Sequence, residues 1–590
     1  GGGFGIAALA GASTDALLIT VNSDSTVRGQ SGAIQTYHDG SQNLRIENSG
    51  SIGNLSGSPF DLAIQLERSA NRDMFTYSGG EIIGRLQSSS DASLNFRNFG
   101  LWNTRGTSSF SGGYDYVSNT GTVRAAGSAG VAEITRFMGL ESFDNSGGIL
   151  TLSDETAGNG STTFDSLTID GDFSGGTLVL DAFLGGPGSQ ADTLTIDGAV
   201  VGVTNVRIVN TNPGNGMENL AGIPIVFADN SNAGDFVLEN GPVQAGLVEY
   251  DIEFDSGTHS LVAEAGQASF DLLPTVTSLQ SIWHETGGFI EDRIGEVGEA
   301  IENGGAAAFG PPGRGAMPGV WLKTAGRFSD RSNTTMLTGV PASAANTSYD
   351  QDTFSIFGGF DAAFDTGNGS SLLLGVFAGY IESDVDFNFT GNSARFDGWS
   401  AGIYARFASG PWRIDGEFKA DLLDLNQTIP GSVATEADAT NTGMLLEVAY
   451  RFNRGGGWYV EPIAALAYVR SEIEGGMVDG VPFTGDGDSF RGGLGIRLGG
   501  VTTTAGGLLF KPHVTARVWH EFDGDNIAAF AAGGTNFTYV DAAPETIGEI
   551  AAGFTIENEA TGWSAFAKAD AFFGDDYTSV GGEIGVRKAF

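Results

Sequence analysis

From Pro318 to Phe590 apolar and polar residues alternate with a period of two, the pattern of a β-strand whose two faces meet different surroundings. In the last run Val580, Ile584, Val586 and Phe590 share one face, while Glu583, Gly585 and Arg587 fall on the other. Upstream, Trp412, Ile414, Phe418 and Ala420 alternate with Arg413, Asp415, Glu417, Lys419 and Asp421. Met444, Leu446, Val448, Tyr450 and Phe452 alternate with Glu447 and Arg451, and Phe490, Leu494, Ile496 and Leu498 with Arg491 and Arg497. A soluble sandwich, buried on one face and wet on the other, produces a similar pattern. A membrane barrel adds segments of about ten residues, charged or small side chains toward the lumen, and aromatic residues at the ends of the outward face. Trp458, Val460, Ala464, Leu466 and Tyr468 match that outward profile.

Candidate strands fall near 318–329, 351–364, 370–384, 394–408, 411–425, 441–453, 457–472, 488–500, 507–521, 526–540, 545–558, 563–573 and 577–590. Bacterial barrels of one chain have an even strand number, so one of these thirteen candidates is expected to fail. Asn526 to Val540 alternates least and is assigned to a loop. Twelve strands leave a lumen wide enough for about one helix. Arg413, Asp415, Glu417, Lys419, Arg451, Arg491, Arg497, Lys511 and Arg517 are the expected lumen-facing charges. They either pair among themselves as a hydrated wall or hold whatever fills the pore.

Before the barrel, near 274–302, the period lengthens. Leu279, Ile282, Trp283, Phe289, Ile290, Ile294 and Val297 recur mostly at three- and four-residue steps, with Glu285, Glu291, Asp292, Arg293 and Glu296 between them. A helix of that length spans about 43 Å, enough to cross a bilayer-sized pore, and Gly304, Gly310, Pro311 and Pro312 stop it. A soluble coiled linker is the plainer alternative.

Residues 1–160 carry a loose repeat. Asn48-Ser49-Gly50, Ser78-Gly79-Gly80, Asn98-Phe99-Gly100, Asn119-Thr120-Gly121 and Asn145-Ser146-Gly147 lie 30, 20, 21 and 26 residues apart, each beside a β-prone stretch. That spacing suits one coil of a parallel β-helix with Asn and Gly at corners needing positive φ. Ile46, Ile52, Ile82, Leu101, Val123 and Leu150 are the expected inward column. A glycine-rich sandwich with accidental turns is the alternative.

Composition narrows the chemistry. Glycine, at 92 of 590 residues, is about twice its ordinary usage, as expected of many tight turns in an all-β chain. A formal charge of −42 argues against nucleic acid as a partner. The absence of cysteine removes disulfides and thiolate chemistry and agrees with passage through an oxidising compartment. No run of 18 apolar residues predicts a transmembrane helix. The opening Gly1-Gly2-Gly3-Phe4-Gly5 has neither Met nor a basic n-region and reads as the start of an excised fragment. Gly171-Asp172-Phe173-Ser174-Gly175-Gly176 differs by the inserted Phe173 from a serine-nucleophile motif, and no partner motif surrounds His38 or His259. No phosphate loop occurs and no cofactor is expected; Asp and Glu are plentiful but show no ordered calcium-loop spacing, which leaves metal binding undecided.

Leu167-Thr168-Ile169-Asp170-Gly171, its near copy Leu194-Thr195-Ile196-Asp197-Gly198, and Gly222-Ile223-Pro224-Ile225-Val226 resemble the C-terminal passenger region of autotransporters of the pertactin type. The resemblance continues through the helix and barrel to Phe590. It implies an all-β chain with a right-handed parallel β-helix passenger (1–163, N-terminally truncated), a C-terminal autochaperone-like segment (164–265), an α-helical linker in the lumen (266–317) and a 12-stranded antiparallel transmembrane β-barrel (318–590). In that family the passenger lies outside and the final strand returns to the periplasm, where Phe590, Val586 and Ile584 would act as a barrel assembly signal despite Lys588 between them. The implied linker-helix residues are Leu279, Ile282, Trp283, Ile290, Arg293 and Ile294. The implied partners are outer-membrane lipid, the barrel-assembly machinery, periplasmic chaperones and host or neighbouring-cell surface ligands, with a monomeric barrel. Self-cleavage is not expected, because the helix has no Asn-Asn pair. The passenger reads as a non-enzymatic adhesin. An enzyme activity in the missing N-terminal part, or a porin-like channel with an appended β-helix, are the alternatives.

Overall fold

The computed structural model describes residues 3–10, 16–38, 43–67, 71–89, 92–110, 112–287, 317–336, 344–367, 370–429, 435–478, 481–532 and 535–590. They form two compact units, Gly1–Gly266 and Gln267–Phe590.

The first unit is a parallel β-helix with three strand columns. One runs through Phe4–Ala10, Gly32–His38, Leu62–Glu67 and their successors to Thr193–Ile196. The other two merge at the 11-residue strand Asp172–Ala182, where Phe143 pairs with Phe173 and Leu150 with Leu178. Stacking puts like side chains over one another, so Ile52, Ile82, Trp102, Val123, Leu150 and Leu178 form one inward column. Trp102 therefore takes the place expected for Leu101, which lies in register with the outward Glu81 and Thr122 and is only half-buried. The other five expected inward residues are buried.

The asparagines of the repeat turn inward and bond to each other. Asn98 Nδ2 donates to Asn119 Oδ1 at 2.8 Å, and Asn119 Nδ2 to Asn145 Oδ1 at 2.7 Å. The same amides also serve the corner backbone, Asn119 Nδ2 donating to Ile149 O at 3.1 Å and Asn145 Nδ2 to Gly175 O at 3.2 Å. The corner glycines serve two purposes. Gly79 and Gly147 have positive φ, but Gly100 and Gly121 are needed for close approach, since a Cβ would stand 2.2 Å from a carbonyl oxygen of the preceding coil.

The parallel stack ends in an antiparallel cap. Asn219–Phe227 pairs with Thr258–Ala265, which folds back on Val248–Asp255 through Ser256 and Gly257, both at positive φ. Beside it, a chain of buried aspartates binds backbone N–H groups between coils. Asp192 accepts from Asp165 N and Asp181 N, both at 2.7 Å, and Asp181 accepts from Asp154 N and Glu155 N at 2.8 and 3.0 Å.

The second unit contains twelve long antiparallel strands: Met317–Arg331, Tyr349–Gly367, Ser370–Phe387, Ser393–Ser409, Trp412–Thr428, Thr435–Tyr450, Trp458–Val478, Val481–Gly500, Leu509–Asp523, Thr546–Asn558, Trp563–Phe573 and Tyr577–Ala589. The first pairs with both the second and the twelfth, closing a barrel. Large apolar side chains such as Phe360, Leu374, Ile403, Phe418, Leu466, Leu494 and Ile584 point outward and are exposed, the surface that lipid covers. The 526–540 stretch is not a loop, although it is not a wall strand either. It forms the hairpin Asp525–Ala532/Thr535–Ala542, whose first arm continues the sheet beside 483–487 of the eighth strand. Its weak alternation reflects two short arms paired with each other instead of one crossing strand.

Trp102 packs on Phe137 with centroids 4.9 Å apart, so Trp102→Ala is expected to cost about 3–5 kcal/mol, read as a fall in the denaturant midpoint of the β-helix. Burial, opposed by its two backbone bonds, pushes the Asp192 carboxyl up to about 9. Because the folded value lies above the unfolded one, its contribution is complete below about pH 4 and is lost as pH rises through about 9. The midpoint should therefore fall between pH 6.5 and pH 9, and Asp192→Asn should flatten that fall.

Candidate functional site in the barrel lumen

Closing the sheet turns the polar face of every strand inward, and the side chains there have to find partners without bulk water. A short helix, Gln267–Phe270, leads through Asp271 into helical residues 272–287, which fill this space. Leu279, Ile282 and Trp283 are buried on it. Ile290, Arg293 and Ile294 lie outside the described residues.

Hydrogen bonds tie the helix to strands around the whole wall, which places it inside. Ser281 Oγ donates to Gln351 Oε1 of the second strand at 2.7 Å, and Asn441 Nδ2 of the sixth donates to Leu279 O at 2.8 Å. His284 Nε2 lies 3.0 Å from Ser489 Oγ of the eighth strand, which donates to Glu521 at 2.7 Å. Glu285 accepts from Ser329 Oγ and Tyr577 Oη at 2.6 and 3.0 Å, bridging to the seam between the first and last strands.

Lys419 supplies the central contact. Its ammonium donates to Thr286 Oγ1 and to Trp283 O, stands 3.4 Å from Asp421 and lies 5.2 Å from the Trp283 ring centre. The indole N–H donates to Lys419 O at 3.2 Å. Across the sheet Gly443 makes room for the indole, since a Cβ there would meet Trp283 Cε2 at 2.6 Å.

The N-terminal portion of the helix is held by residues that the alternation pattern did not single out. Asp541, on the hairpin, accepts from Thr277 Oγ1 at 2.5 Å and from both terminal nitrogens of Arg331 at 2.5 and 3.1 Å, with all three residues buried. Asn526 donates to Thr277 Oγ1 at 2.9 Å and receives Gln280 Nε2 at 3.2 Å. Asp271 accepts from Thr390 Oγ1 and from Asn392 Nδ2, the latter at 2.8 Å. Assigning 526–540 to a loop hid Asn526 and the hairpin arm that carries Asp541. The available signal was Gly533-Gly534 between two β-prone runs, a hairpin pattern.

Seven of the remaining charged positions form ion pairs along the wall. Glu461 gathers Arg413, Arg451 and Arg497, the last two at 3.5 and 3.6 Å. Asp415 pairs with Arg406 at 2.5 Å, Arg491 with Glu521 at 2.7 Å, Lys511 with Glu557 at 2.7 Å and Arg517 with Glu447 at 3.0 Å. Glu417 is buried, its Oε1 being 3.7 Å from where a Cβ on Gly287 would stand. On the outside, Ile584, Val586 and Phe590 are exposed, and Phe590 N donates to Pro318 O at 3.0 Å. Lys588 points the same way, 5.6 Å from the Trp563 ring centre and 6.0 Å from that of Phe590.

Comparison with known proteins gives two family matches. Residues 320–570 match the autotransporter beta-domain, and 140–252 the Autochaperone Domain Type 1. The chain is similar to the pertactin autotransporter of Bordetella parapertussis, with 32% identity over 165 residues, 26% of this chain and 18% of that protein. It is also similar to the adhesin BmaC autotransporter of Brucella suis, with 24% identity over 349 residues, 52% of this chain and 10% of that protein. The chain thus spans less than a fifth of the length of either relative. Among solved structures, the transport unit of AIDA-I from Escherichia coli aligns over 46% of this chain and 90% of its own, with 14% identity and a TM-score of 0.38.

Replacing Asp541 by Ala strands a buried arginine and is expected to cost about 3–5 kcal/mol. The checks are a lower temperature for conversion of the folded barrel to its unfolded gel form, and a higher single-channel conductance in planar bilayers.

Proposed function

The chain belongs to the autotransporter family, and on that premise we propose that the barrel exports its own β-helical passenger, which acts as an adhesin. The barrel lies in the outer membrane and the passenger is exposed on the cell surface. The observation that carries the export reading is the helix 272–287, bonded around the lumen at the N-terminal end of the barrel: a chain threaded through the pore it has crossed.

The functional divisions are 1–163 for the passenger stem, 164–265 for a folding template, 266–317 for the linker and 318–590 for the translocator. Folding outside the cell supplies the drive, because the chain carries no phosphate loop for nucleotide. Phe590, Val586 and Ile584 mark the final strand for the barrel-assembly machinery, periplasmic chaperones carry the chain to it, and the barrel works as a monomer. Adhesion is supported by a long β-helix that presents repeated charged and aromatic surface, and by the name of the Brucella suis relative. The ligand is a host or neighbouring-cell surface molecule.

Protease shaving of intact cells producing this chain behind a signal peptide, tagged at Gly1, tests the export reading. The expected result is loss of the tag beside a protected fragment of barrel size. A tag that stays protected until the outer membrane is opened would overturn it. Deleting 164–263 is expected to abolish both display and protease resistance of the passenger, and unchanged display would remove the template role.

A further inference from the structure

The aromatic column of the β-helix ends on a residue that can take up a proton. Phe137, Phe143, Phe173 and Phe236 follow one another with ring centres 5.7, 6.0 and 6.4 Å apart, and His259 comes next, 4.7 Å from Phe236. Phe254 closes its other side at 4.7 Å. His259 is fully buried on Thr258–Ala265, the central strand of the antiparallel cap, opposite Val226 and Phe254.

The hydrogen bonds fix the imidazole in one form. Ser231 Oγ donates its only proton to Ala228 O at 2.7 Å. It can then only accept from His259 Nε2, 2.9 Å away, so Nε2 carries the hydrogen and Nδ1 is bare. Nδ1 is buried and has no hydrogen-bond partner among the described residues. A proton added there would create a buried cation whose new N–H has no acceptor among the described residues.

We propose that His259 is an acid-sensitive lock on the C-terminal cap of the passenger, which stays closed while the imidazole is neutral and loosens when it must be protonated. The groups around it offer little compensation. Phe236 and Phe254 present rings, Val226 an aliphatic chain, and Ser231 a hydroxyl already committed. Asp235 is the carboxylate whose charge reaches the ring, and its Oδ2 is occupied by Asn232 N at 2.7 Å. Asp229, at the far end of the same turn, lies under Gly257.

Burial holds the imidazole below its ordinary value. The neutral form is therefore favoured by folding, and its stabilisation is present above the unfolded pKa of about 6.5 and is lost as pH falls below it. In a segment that serves as the folding template, this makes export of the passenger sensitive to mild acid. That consequence rests on the template reading above.

Amide hydrogen exchange on the whole chain in detergent or vesicles tests the lock. Protection of 219–265 is expected to fall about tenfold between pH 7.5 and pH 5.5, one pH unit below the unfolded value being worth a factor of ten. His259→Phe and His259→Gln should show little of that fall. Equal loss in the unmodified chain and both variants would overturn the proposal. If neither variant folds, exchange at the His259 ring C–H in the unmodified chain decides: a titration midpoint near 6.5 would overturn it, and one well below would support it. Surface display at the two pH values, with the 164–263 deletion as control, reads the template role separately, so each idea can fail alone.

Discussion

The structure of the second unit depends on one seam. Pairing of Met317–Arg331 with Tyr577–Ala589 removes the last two free edges of the sheet, and in hydrocarbon an unpaired strand edge costs several kcal/mol for each unsatisfied group. Closure also decides what each side chain meets. Once the sheet is a cylinder, even-numbered positions of the last strand face lipid and odd-numbered ones face the lumen, with no intermediate choice. The ion pairs of the wall follow from that division. Cations and carboxylates placed at random in such a space would be ruinous, but Arg413, Arg451 and Arg497 share Glu461, and Asp415, Arg491, Lys511 and Arg517 each stand against a partner of opposite sign.

The helix completes the arrangement because it is amphipathic on two scales. Its apolar residues meet the few apolar lumen positions, such as Leu445, Ala465, Ala467 and Val469 around Trp283. Its serines, threonines and glutamine meet the polar wall. The same segment in water would lose the second set of contacts to solvent competition and would be marginal as an isolated helix. The lumen is thus both a site for the helix and the reason it is ordered there.

Much of this was legible from alternation. Twelve wall strands and a helix before them follow from period counting and the even strand number, since burial on one face leaves a direct mark on sequence. Two things escaped. Trp102 and Leu101 are adjacent, and a one-residue choice of phase inverts inside and outside; only the stacked partners Ile82 and Val123 fix it. Asp541 and Asn526 escaped because the hairpin that carries them reads as a loop, and because the contacts they make are with Thr277, more than two hundred residues away in sequence, which local pattern does not name even where it shows the hairpin.

The two kinds of sheet in the first unit give a physical order to its folding. In the parallel coils each strand pairs with one some twenty to thirty residues distant, so every contact first closes a long loop. The cap differs. Val248–Asp255 and Thr258–Ala265 are joined by two residues at positive φ, Ser256 and Gly257, the turn whose twist matches that of a hairpin. Such a hairpin forms with little loop-closure entropy and on a microsecond scale. It then offers Thr258–Ala265 as a ready edge to Asn219–Phe227, which in turn pairs in parallel with Thr193–Ile196 at Leu194 and Thr195. Each further coil needs an existing coil to bury its inward face, so growth from this end is the direction in which every step has a surface to add to. That directionality is what a template at the C-terminal end of a passenger requires.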